Sequence, residues 1–347
     1  MSGLGTYAFL NAKVRGKLSK LISPAQYKEL VRAPDVLSAC LVLRGTEYRD
    51  LIQDIVSAAD LPRIEAALAE HLIAAHREVR DVAKGHVPRF IEELLRQYEV
   101  ENLKVLLRAW NAREEKSFIY RERICNEIPV DALLEAQSLE EIIVLLGETP
   151  YRKPLTLARE DYERTGSPFP LEVALDRELY EATWKVVGEL PAVDRKIASR
   201  LLGIEADLLN ITWMMRFKRY YGLGLADVIK AMVPGGLRIK EEFVREVYPG
   251  RDEASLMTAL LTGVYGSRPP QVPAMKEVRG FERLEEFLKK TYLQQLRQAL
   301  GGYPFTIGTV IAYLRLKKAE VSNLITILNA KALSLPPEEV ETSIVRV

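Results

Sequence analysis

A short helical phrase that returns along the chain sets the tightest limit on what it can fold into. Glu99-Val100-Glu101-Asn102-Leu103 reappears as Glu320-Val321-Ser322-Asn323-Leu324, and five of the nine positions that begin at each glutamate are identical. A weaker copy, Glu205-Ala206-Asp207-Leu208-Leu209, lies between them. Leu95, Leu201 and Leu316 fall four residues before the three glutamates, one helical turn back. A second echo precedes the first. Thr46-Glu47-Tyr48-Arg49 matches Thr149-Pro150-Tyr151-Arg152, and Tyr265 follows a similar apolar run. Tyr48 to Glu99 spans 51 residues, Tyr151 to Glu205 spans 54 and Tyr265 to Glu320 spans 55. Two echoes at nearly constant spacing indicate a unit of roughly 110 residues present three times. The expected units are 1–113, 114–222 and 223–347. The repeat positions are Tyr48, Tyr151, Tyr265, Glu99, Glu205, Glu320, Leu103, Leu209 and Leu324.

The periodicity is helical almost throughout, so the fold class expected is all-α. Ile64, Leu68, Leu72 and Val79 form a stripe over 61–84, with Asp60 placed to cap its start. Ser23-Pro24-Ala25-Gln26 has the spacing of a capping box with Pro at the first helical position. Three long helices are predicted over 87–110, 193–221 and 305–332. Strand alternation is scarce, and Asn-Gly and Asp-Gly hairpin turns are absent from the sequence. Gly222-Leu223-Gly224, the stretch from Gly166 to Pro170 and the stretch from Gly263 to Pro273 read as loops. Units this large can each hold a core, and a repeated head-to-tail contact between three of them closes into a ring when its rotation suits.

The chemistry that would make an enzyme is missing from the pattern. Gly16-Lys17 lacks the first glycine and the hydroxyl of a phosphate loop, since Asn11 and Leu18 stand there. Gly222-Leu223-Gly224 lacks the third glycine of a dinucleotide fingerprint and follows a helix. His71 and His76 are five apart, not the four of a helical zinc pair, and no cysteine is near. Cys40 and Cys125 are the only cysteines, which argues against a disulfide framework. Carboxylates alternate with Lys and Arg, and Glu92, Glu93 and Arg96 read as a solvated helix face. No catalytic residue, metal ligand or cofactor is therefore expected. The 49 basic and 48 acidic residues nearly cancel, which gives no overall attraction to nucleic acid or anionic lipid. The longest uncharged run, Gln298 to Leu314, is too short and too broken to span a bilayer.

Two features suit binding. Trp213 to Tyr221 interleaves aromatic and basic side chains, as a single-stranded nucleic-acid platform does, so a helical scaffold or nucleic-acid module is the alternative function. The bland reading of the same stretch is a helix end whose cations favour the dipole. The helix expected over 4–21 is the second. Arg15, Arg216 and Lys218 are the candidate partner contacts. The three repeated glutamates, each between apolar turns of a helix, read as fixing contacts between helices or units.

Three stretches carry a family resemblance over essentially the whole length: Tyr7 to Arg15, Thr149 to Arg152, and above all Tyr313-Leu314-Arg315-Leu316-Lys317-Lys318-Ala319-Glu320-Val321-Ser322-Asn323-Leu324. The chain resembles the C subunits of the archaeal and bacterial V-type (A-type) ATPases, which are related to the d subunits of the eukaryotic enzymes. Ala319, Ser322 and Leu208 depart from the family pattern, at positions without established chemistry. The resemblance implies three similar helical domains about a pseudo-threefold axis, shaped as a funnel. It implies a non-catalytic rotor adaptor, without cofactor, that is a monomer in isolation. Such an adaptor links the central shaft of the soluble ATPase head to the membrane rotor ring and passes torque for ATP-coupled proton or sodium transport. It implies a place on the cytoplasmic face of the membrane, with neither a span of its own nor a nucleic-acid partner.

Overall fold

The computed structural model describes residues 3–53, 55, 57, 60–114, 118–265 and 280–344. Along the chain run α1 (Gly3–Leu18), α2 (Pro24–Arg32), α3 (Val36–Leu43), α4 (Arg49–Ile52), α5 (Leu61–Val82), α6 (Val87–Ala112), α7 (Val130–Glu135), α8 (Leu139–Leu145) and α9 (Arg152–Thr165). Then follow α10 (Phe169–Glu189), α11 (Ala192–Arg216), α12 (Leu225–Ala231), α13 (Glu241–Val247), α14 (Glu253–Tyr265), α15 (Gly280–Leu300), α16 (Ile307–Ala332) and α17 (Pro337–Ser343). The fold is all-α, and no strand occurs among the described residues.

Local sequence explains the ends of these helices. The capping box forms at α2: Ser23 Oγ accepts from the Gln26 amide at 3.3 Å, and Gln26 Oε1 accepts from the Ser23 amide at 2.8 Å. Asp60 precedes α5 but does not cap it; its carboxylate turns back to accept from the Ser57 amide at 3.0 Å. Gly166 and Gly222 end their helices in the left-handed region, at φ 65° and 58°. The helix expected to run to Tyr221 changes pitch first: Phe217–Tyr221 is a π-helical turn continuing α11.

The contacts divide into two compact units. One unit joins Met1–Pro88 to Arg279–Val347, and so contains both ends of the chain. Its centre is α16, which packs on α1, α3, α5, α15 and α17. Every residue from Ile307 to Lys317 is buried, so the first three turns of this helix are covered all round.

The other unit is the continuous stretch Arg89–Val278. Its core gathers Leu103, Leu106 and Trp110 of α6 with Leu133, Ile142 and Leu155 of the short helices that follow. Trp110 Nε1 donates to the Ala136 carbonyl at 2.8 Å, which satisfies the indole inside this core. Helix α10 packs against α9 and α11, and α11 against α14.

His76 lies in the core on the inner face of α5, fully buried, with Nδ1 2.9 Å from the Leu72 carbonyl oxygen. Burial pushes its pKa down to about 3, and the charges of Arg315 and Lys318 push the same way. The folded chain therefore keeps His76 neutral while the unfolded chain takes up a proton near pH 6.5. Its stabilising contribution is complete above that pH and is lost as pH falls toward 3, at about 1.4 kcal/mol per pH unit. Urea denaturation between pH 7 and 4.5 should show a shallower loss of stability in His76→Leu than in the parent chain.

Candidate functional site

The three copies of the repeated phrase place acids at corresponding points on α6, α11 and α16. On α16, Glu320 is fully buried. Its carboxylate accepts from the Tyr48 hydroxyl at 2.6 Å, from the Ile22 amide, and from Lys317 Nζ at 3.0 Å. Lys317, also fully buried, reaches Glu47 Oε1 and the Tyr48 hydroxyl oxygen as well, and lies 4.3 Å from the centre of the Tyr48 ring. One ammonium thus sits between two carboxylates and a phenol. Burial pushes the Tyr48 hydroxyl far above its ordinary pKa, and the Glu320 charge adds to this, so the phenol remains a donor to Glu320.

On α6, Glu99 is 2% exposed and does the same work with different neighbours. It accepts from the Tyr151 hydroxyl at 2.7 Å, from the Cys125 and Asn126 amides at 2.8 and 2.7 Å, and from Asn126 Nδ2 at 2.6 Å. Arg96 stands three residues before Glu99, as Lys317 stands three before Glu320. Its guanidinium lies 5.6 Å from the centre of the Tyr151 ring and pairs with Glu93 at 3.0 Å. Glu93 and Arg96 therefore do not form the solvated face that their alternation suggests: Glu93 is 8% exposed, and the Arg96 side chain only 12%. Pro150 occupies the place of Glu47, so the second carboxylate comes from the preceding turn of α6.

In the middle copy the buried acid is Asp207, two residues beyond Glu205. Asp207 is 2% exposed and accepts from the Arg238 and Ile239 amides at 3.0 and 2.8 Å. Glu205 is half-buried, and so is Leu209. Burial pushes the Asp207 carboxyl above its usual range, against the lowering by those amides. The shorter acid is matched by a closer loop. A Cβ on Gly236 would come within 2.4 Å of Asp207 Oδ1. Ile204 stands where the other copies have a cation, three residues before the acid.

A second set of side chains fixes the register. The residue three beyond each buried acid is asparagine. Asn102 accepts from the Tyr120 amide at 2.7 Å and donates to its carbonyl at 2.8 Å. Asn210 makes the same pair with Val233, each bond 3.0 Å. Asn323 donates to the Tyr27 hydroxyl at 3.2 Å. One residue further on, Leu103, Ile211 and Leu324 are all buried. In each copy a buried acid and an asparagine on a long helix thus hold the start of a group of shorter helices. Ile22 to Tyr48, Cys125 to Tyr151 and Ile239 to Tyr265 each span 26 residues. Tyr265 ends α14, and its side chain lies outside the described residues. The signal that letter matching along the chain misses is acid-x-x-Asn.

The candidate contacts occupy different surroundings. Arg15 is exposed on α1 and donates to the Leu300 carbonyl at 3.3 Å. Arg216 is exposed at the end of α11, whereas Lys218 is half-buried, 5.1 Å from the centre of the Tyr248 ring. Met214, Met215 and Phe217 are buried, and Phe217 meets Phe169 edge-on at 5.3 Å. Three residues of the aromatic-basic stretch thus pack inward, while Trp213 and Arg219 are half-buried and Tyr220 is exposed. No group of three His, Cys, Asp or Glu side chains that could hold a metal occurs among the described residues. No helix among them is long and apolar enough to cross a membrane.

The buried acids make a sharp mutational contrast. Glu99→Ala leaves the Tyr151 hydroxyl and two amides without their acceptor and should cost about 3–5 kcal/mol of unfolding free energy. Glu101→Ala, on the exposed side of the same helix, should cost less than about 1 kcal/mol. Chemical denaturation of both variants measures the difference.

A family model described as ATP synthase (C/AC39) subunit matches residues 10–343. The C subunit of the A-type ATP synthase of Methanothermobacter thermautotrophicus is 27% identical over 333 residues, covering 94% of this chain and 84% of that protein. The corresponding C subunit of Haloferax volcanii is 27% identical over 350 residues, covering 97% of each. That of Methanocaldococcus jannaschii is 24% identical over 352 residues, covering 99% of this chain and 87% of the relative. With the match running through all three buried-acid helices, the chain belongs to the ATP synthase (C/AC39) subunit family and is a non-catalytic component of the rotary ATPase type.

Proposed function

We propose that this chain is the rotor adaptor of an A/V-type rotary ATPase: it receives the central shaft of the soluble head, rests on the membrane rotor ring and carries torque between them. The observation that carries the reading is the family match across residues 10–343, together with similarity to C subunits of A-type ATP synthases over 84% and 97% of their length. The corresponding arrangements around Glu99, Asp207 and Glu320 support a threefold repetition, although each joins a long helix to short helices across the expected limits at 113 and 222; the family match supports setting the three parts about a pseudo-threefold axis as a funnel. A part that transmits torque must resist shear, and close-packed interiors have low compressibility. Buried carboxylates that tie each long helix to the loop of its neighbouring short helices add directional bonds against sliding. Arg15 and Arg216 are exposed cations suited to partner contacts, and the near-balance of charge suits a piece held between proteins. The adaptor sits on the cytoplasmic face through the ring.

Co-purification tests this directly. A C-terminally tagged chain, recovered from gently solubilised native membranes, should bring down a rotary ATPase shaft and a membrane ring. Omitting either partner should remove it from the recovered complex. Recovery of the chain alone, or with nucleic acid, would overturn the adaptor reading.

A further inference from the structure

Two of the buried-acid arrangements differ in what their cation joins. In the continuous unit, Arg96 and its second carboxylate, Glu93, belong to the same helix, one turn apart. That ion pair lies within α6, which reaches beyond itself here through the Arg96 guanidinium on the Tyr151 ring, 52 residues on from Glu99 in the same unit. In the unit that contains both chain ends, Lys317 on α16 bonds Glu47, which lies in the turn before α4. The partners are separated by 270 residues. The neighbouring bonds have the same long reach: Glu320 to Ile22 and Tyr48, Asn323 to Tyr27, Asn329 to Glu65, and Lys331 to the Val31 carbonyl oxygen. All connect α16 to the first 65 residues. None of these bonds can form until the last helices are present, because the whole of the other unit lies between the partners in the chain.

We propose that Lys317, with Glu47, Glu320 and Tyr48, is a closure latch that joins the two ends of the chain, and that the unit it closes opens as a cooperative body while the continuous unit stays folded. The physical reason is the placement of the charges. Lys317 and Glu320 are both fully buried, so neither can remain charged in the core without its partners. Opening α16 from the N-terminal helices exposes them together to water, which makes an intermediate separation costly and the transition steep. The continuous unit keeps its own arrangements, at Glu99 and Asp207, within its own stretch of chain. Local opening of this kind is seen in amide exchange as segments that lose protection together.

The latch contains a mild point of attack. The Glu47 side chain is 17% exposed, and Glu47→Gln leaves Lys317 paired with Glu320. Amide hydrogen exchange of the full chain should then be roughly ten- to a hundred-fold faster in the peptides of α2 to α4 and of α16 alike, for the loss of one charge-assisted bond. Peptides of α6 to α11 should be unchanged. Glu93→Gln, which cuts the corresponding ion pair inside α6, should leave the α2–α4 and α16 peptides at the parent rate. Faster exchange across both units in Glu47→Gln would mean that the chain opens as one body and would overturn the proposal. So would acceleration confined to α2–α4 with α16 unmoved, and so would unchanged exchange throughout.

Discussion

A carboxylate buried on a long helix, accepting hydrogen bonds from amides of a loop packed against it, is the interaction on which the rest of this structure depends. Removing a carboxylate from water is costly, and the cost is offset only where donors converge on it. Glu320, Glu99 and Asp207 meet that condition in three different ways. Glu320 has a lysine and a tyrosine; Glu99 has a tyrosine and a side-chain amide, with an arginine on the tyrosine ring; Asp207 has amides brought close by Gly236. The geometry is retained while the donors change. In each case the acid fixes where the short helices begin relative to the long one, and the asparagine three residues on reinforces the same register.

This arrangement explains how a chain without an active site can still be strictly specified. Most of the core is aliphatic, and aliphatic packing alone tolerates sliding and repacking. A buried acid with directional partners does not, because a shift of one residue leaves it charged and unpaired. Stiffness of this kind is what the proposed rotor adaptor needs, and it is built from side chains that would pass for ordinary surface charges on a helical wheel.

The sequence reached the fold class, most helix limits and the capping box at Ser23, since those depend on local pattern. It reached Glu99 and Glu320 because their copies share five of nine residues. It placed the middle copy two residues early, at Glu205, because the longer acid made a better letter match than Asp207. The physical equivalence lay in Asp207 and Asn210 with Ile211, and a shorter acid works there because a glycine lets the loop approach. Arg96 and Glu93 look solvated in the sequence because charge alternation on a helix is the same whether its face meets water or a tyrosine ring. The pairing of Tyr48 with Glu320, across 272 residues, could not be read from spacing that counts forward along the chain. Closure of the chain ends is a tertiary fact with no local signature.

If three equivalent buried acids organise the molecule, Asp207, where sequence and structure differ, must behave as Glu99 and Glu320 do. The decisive measurement is the unfolding free energy of Asp207→Ala beside Glu205→Ala. Asp207→Ala should lose about 2–4 kcal/mol, from amides left without an acceptor, and Glu205→Ala should change stability by no more than about 1 kcal/mol. Equal effects, or a larger loss at Glu205, would contradict this role for Asp207.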